Sequence, residues 1–134
     1  MRLIPSVLIA VTALLTTSYV FGQTPAEPFK VGTFEIDGET AVALVLRDSL
    51  IVDIAAANAA HERETNAPAL PPPPDMLALI ERYDSGVRER LYAIVDRLVA
   101  DELLDGASRP AYVHELGEVR TLPPILYPGK VMNA

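Results

Sequence analysis

The chain has 134 residues, with 11 Lys and Arg against 18 Asp and Glu for a formal net charge of −7, and it contains no Cys. An acidic surface repels the phosphate backbone, whose attraction supplies most non-specific nucleic-acid affinity, so a nucleic-acid partner is excluded. The lack of Cys excludes disulfides, thiolate zinc sites and a Cys nucleophile, which leaves apolar burial to hold the fold together.

The first segment has Met1 and Arg2 as a basic head, then the uncharged "LIPSVLIAVTALLTTSYVFG", then "QTPAEP". A positive start, an apolar centre and small residues at the exit are the three parts of a secretory signal peptide. Val20 and Gly22 suit the positions a signal peptidase reads, so cleavage is expected between Gly22 and Gln23, with export to the periplasm or medium. The competing reading is an uncleaved anchor, because Leu3 to Phe21 approaches the roughly 20 apolar residues that span a bilayer. Pro5, the Thr and Ser residues and the Val20-Phe21-Gly22 exit favour cleavage, after which no stable membrane association is expected. Removing residues 1–22 takes away Arg2 and no acid, so the exported part is one unit more acidic.

A Pro-containing linker over residues 23–28 leads into "FKVGTFEIDGETAVALVLRDSLIVDI". Asp37-Gly38 lies between two β-rich runs and supplies the positive φ angles of a two-residue hairpin turn. Arg47-Asp48-Ser49 offers a second turn, so three antiparallel strands are predicted at about 30–36, 40–46 and 50–54. Val42, Leu44 and Leu46 share one face of the middle strand and Ala41, Ala43 and Val45 the other. Two apolar faces predict a central strand with something packed on each side.

From Ile54 the Ala-rich "AAANAAHERE" favours a helix. "TNAPALPPPPD" breaks it, because Pro lacks an amide proton and restricts the residue before it. Four consecutive Pro make a stiff spacer; a ligand for an aromatic groove is the sharper but disfavoured reading. Asp75 is predicted to cap a short helix carrying Met76, Leu79, Ile80 and Tyr83. Asp84 or Ser85 restarts a longer one striped by Val87, Leu91, Ile94, Val95 and Leu98, and Asp105-Gly106 ends it. Edge strands are expected at Tyr112–His114 and Val119–Leu122, with Pro123-Pro124 leading out. The fold class is α+β: a small antiparallel meander packed with two or three helices.

The chemistry-bearing clusters read as structural. His61-Glu62-Arg63-Glu64 lacks the second His, one turn on, of a zinc protease helix, where Thr65 stands, so a solvated helix end is expected. His114 and Glu115 are strand neighbours that point to opposite faces. Asp96, Asp101, Glu102 and Asp105 only partly share a face, short of the converging oxygens a cation needs. Arg88 and Arg90 lie upstream of them and Arg97 directly follows Asp96. Gly86, Gly106 and Gly117 are isolated and make no phosphate loop, while Ser85 and Ser108 read as turn or cap residues. No catalytic, cofactor-binding or metal residue is assigned within the chain.

The order of parts resembles the N-terminal region of fumarylacetoacetate hydrolase family proteins over about Phe29 to Ala134. "DMLALIE" and "LPPILYPGKV" are the most diagnostic pieces. The resemblance implies an N-terminal α+β domain over 29–122 and, at 123–134, the start of a β-rich catalytic domain whose main part lies beyond Ala134. It implies a homodimeric, metal-dependent hydrolase of a carbon–carbon bond in a 2-oxo or diketo acid, using magnesium, manganese or calcium, with this fragment itself not catalytic. The family's Asn-Tyr pattern does not transfer, since Ala134 follows Asn133. Two departures are the export signal and the stiff "APALPPPP" loop. The alternative is a stand-alone periplasmic interaction module.

Overall fold

A computed structural model describes residues 24–127. The expected signal peptide and its cleavage point, and the stretch 128–134, lie outside the described residues. The hairpin expected at Asp37-Gly38 joins β1 (Phe29–Ile36) to β2 (Glu39–Leu46), with Phe29 opposite Leu46 and Ile36 opposite Glu39. Asp37 (φ 51°) and Gly38 (φ 82°) both take the left-handed conformation that this two-residue turn demands. The turn from β2 to β3 (Leu50–Asp53) uses the same geometry without Gly, at Arg47 (φ 54°) and Asp48 (φ 55°). Two short edge strands, β4 (Val113–Glu115) and β5 (Arg120–Leu122), complete a five-stranded antiparallel sheet of order β4-β3-β2-β1-β5. The meander is therefore the centre of a wider sheet, and the molecule is α+β.

The chain passes from β3 into α1 (Ile54–Thr65) with no loop. The Asp53 carboxylate accepts from the amides of Ala55 and Ala56, satisfying donors that the first helical turn leaves open. Asp75 does the same for α2 (Met76–Arg82), accepting from the Ala78 amide at 2.8 Å.

The second half of the helical layer departs from the sequence expectation twice. Residues Asp84 and Ser85 do not start α3 (Arg88–Ala100): a π turn over Tyr83–Val87 precedes it, with Ser85 and Gly86 outside helical geometry. Gly86 at φ 104° bends the path there, and Asp84 instead accepts from Arg88 at 2.8 Å. Nor does Asp105-Gly106 end α3. The helix stops at Ala100, where the Leu103 amide donates to Leu98 and the Glu102 amide to Val99 across a left-handed Glu102 (φ 54°). That is a Schellman closure with Glu in the place Gly usually fills. Asp105 and Gly106 lead instead into a 3₁₀ turn.

The helices cover one face of the sheet. Val42, Leu44, Leu46, Leu50 and Val52 pack there against Ile54 and Ala57 of α1, Met76 and Leu79 of α2, and Leu91, Ile94, Val95 and Leu98 of α3. The other face carries a second, smaller cluster of Phe34, Ile36, Ala43 and Ile51, edged by Ala41, Val45 and Val119. Gly32 leaves space for the Phe34 ring, whose Cε2 would lie 2.8 Å from a β-carbon at position 32. The linker is tied down as well: the Ala26 amide donates to Asp96, and Arg47 donates to Glu27.

Candidate functional site

The two histidines do not assemble with acids into an active pair. His61 lies on α1 against Ile94, Leu98 and Tyr112, with its Nδ1 buried and unpartnered. Burial lowers its pKa, and the Arg90 and Arg97 charges lower it further, so the ring is held neutral. His114 and Glu115 face opposite sides of β4, opposite Ile51 and Leu50 in the register. Glu115 accepts from Arg109, and its amide donates to Glu118 in a reciprocal cap. The acids of α3 and its exit are committed separately: Asp96 to Ala26, Asp101 to Arg97, Asp105 to Arg47. Among the described residues no three His, Asp or Glu side chains form a group able to hold a metal ion.

Glu62 departs from the solvated helix end expected for it. One of its oxygens, Oε1, accepts from the Leu70 amide (2.7 Å), from Arg90 (2.8 Å) and from Asn58 (3.1 Å). Those bonds, led by the backbone one, hold its pKa below the usual carboxylate range. Arg90 also donates to Asn58 and to the Pro68 carbonyl, while Asn58, buried in the Ala-rich face of α1, donates to the Leu70 carbonyl at 2.9 Å. Arg82 closes the set by donating to Pro71 at 2.6 Å. The Pro-rich spacer is thus fastened along its length to all three helices.

An apolar groove of about 290 Å³ opens among the described residues. Its floor is Thr33 and Val42; Met76 and Leu77 at the start of α2 form one wall, and Pro124 to Tyr127 the other. Thr33 is buried and donates its hydroxyl to the Pro124 carbonyl at 2.8 Å, which holds this exit segment against β1. Leu77, Ile80, Ile125, Leu126 and Tyr127 are exposed, Tyr127 to 89 %. Such grouping distinguishes a contact surface from singly scattered apolar residues. Sequence reasoning passed over Thr33, Leu77 and Tyr127 as strand, helix and turn residues. A Thr at an inward position of β1 was the signal available.

Comparison of the chain with protein-family models, with curated proteins and with solved structures found no match in any of the three. The class defined by the fold is a small α+β domain with a helical layer on one face of its sheet. Its distinguishing surface is the groove between Met76-Leu77 and Pro124–Tyr127.

Proposed function

We propose that this chain is the non-catalytic N-terminal domain of an exported, metal-dependent hydrolase of the fumarylacetoacetate type. On this reading the full-length protein cleaves a carbon–carbon bond of a 2-oxo or diketo acid, works as a homodimer, and holds its divalent cation on residues outside this chain. The observation that carries the reading is a meeting of segments. Asp75 to Leu77 of "DMLALIE" and Pro124 to Tyr127 of "LPPILYPGKV", the two pieces on which the family resemblance rests, line an apolar groove together. An apolar surface built by these two pieces suits burial against a second domain or subunit, which is what an accessory domain of a larger enzyme needs.

The test is the intact mass of the protein from its source, detected with an antibody against Asp75–Gly106. A species well above 14.5 kDa, with diketo-acid hydrolysis that a chelator abolishes, supports the proposal. A species at or below 14.5 kDa overturns it in favour of a stand-alone interaction module. N-terminal sequencing of that species tests export separately, with Gln23 expected as first residue.

A further inference from the structure

The Pro-rich segment is buried with a period of three. Ala67 and Leu70 are half-buried and Pro73 is buried, while Pro68, Ala69, Pro71, Pro72 and Pro74 are exposed. Three residues per turn is the repeat of the polyproline II helix. The local chemistry dictates the same conformation, because Pro fixes its own φ and pushes the residue before it to extended geometry. Between Ala67 and Pro74, Ala69 alone neither is a Pro nor precedes one. Pro73 packs toward Val87 and Leu91, Leu70 is held by Asn58 and Glu62, and Arg90 and Arg82 donate to the Pro68 and Pro71 carbonyls. The outward edge then presents the exposed Pro68 and Pro71 one turn apart, followed by the exposed Pro74 at the rim of the apolar groove.

We propose that Ala67–Pro74 is a preformed polyproline ligand that offers this edge to an aromatic-lined groove on a partner protein. Proline-binding grooves grip ligands at that spacing, and a ligand already held in shape loses little conformational freedom on docking. The exposed Asp75 directly after the segment, on a chain of net charge −7, selects a groove with a basic rim. The inference is independent of the hydrolase reading, since the edge lies on the described domain itself.

The chain contains no Trp, so the fluorescence of a partner's own groove Trp reports binding without interference. Purified SH3, WW and EVH1 domains are the probes, each titrated with the whole protein. At least one is expected to saturate below about 1 mM. Pro68→Ala with Pro71→Ala should weaken that binding by about tenfold or more while far-ultraviolet dichroism stays unchanged. Pro28→Ala and Leu77→Asp should leave it intact, and an isolated peptide of residues 66–75 should bind more weakly than the protein. Overturning results are no saturation with any probe, equal binding by the double Pro variant, a peptide that binds better than the protein, or loss in Leu77→Asp alone. The last would move the interaction to the apolar groove.

Discussion

Glu102 and Asp48 stand in left-handed conformations that an L side chain adopts at a cost of about 1–2 kcal/mol, with Asp among the more tolerant. Glu102→Gly should therefore raise stability by about 1 kcal/mol after the entropy that Gly loses on folding. Asp48→Gly should gain less, since Asp tolerates the geometry better, and the exposed pair with Lys30 that it gives up changes this little. Urea midpoints with unchanged slopes would measure the order. Gly32→Ala goes the other way: the Phe34 ring must shift, and a loss of about 1–2 kcal/mol is expected by the same measurement. His61 adds a pH dependence. Its folded pKa is lowered, so the unfolded chain binds the proton more readily, and stability is fully present above about pH 6.5 and falls as pH drops below it. Urea unfolding between pH 7 and pH 5 should show that slope, and His61→Gln should flatten it.

The fastening of the Pro-rich segment joins three helices through Glu62, Asn58, Arg82 and Arg90. In this set the Leu70 amide is the reporter, because its proton goes to Glu62. Arg90→Met should speed hydrogen exchange at Leu70 while amides in the middle of α3 keep their protection; equal acceleration of both would mean global destabilisation instead. The folded Glu62 pKa is lowered, so its stabilisation is present above the ordinary carboxylate value and is lost as pH falls below about 4.3. None of this was visible in sequence, because Arg90 lies 28 residues from Glu62 and 32 from Asn58. What could be read was local: the Asp37-Gly38 hairpin, the alternation in β2, the Ala-rich α1 and the Asp75 cap. The end of α3 was misread for the converse reason. Glu102 closes the helix in a conformation its side chain disfavours, while Gly106, the residue that looked like the stop, belongs to the next turn.

At the level of the whole molecule, the helical layer and sheet bury one face thoroughly, and apart from Leu116 the exposed large apolar residues among those described lie on α2 and on the exit segment. Leu77 and Ile80 project from α2, and Ile125, Leu126 and Tyr127 from the segment pinned by Thr33. Neither stretch signals this alone, since the α2 spacing reads as an amphipathic helix and the other as a Pro-rich exit. Only the sheet, which brings β5 beside β1, sets them facing each other. An acidic chain with this apolar groove should bind a dye that reports exposed apolar surface while still cooperatively folded. Leu77→Glu with Ile80→Glu should abolish most of that fluorescence, and the unfolding free energy should stay within about 0.5 kcal/mol of the parent, because both side chains are about half exposed. Loss of fluorescence accompanied by a large drop in stability would mean that these residues support the core, and the groove would then lose its standing as a contact surface.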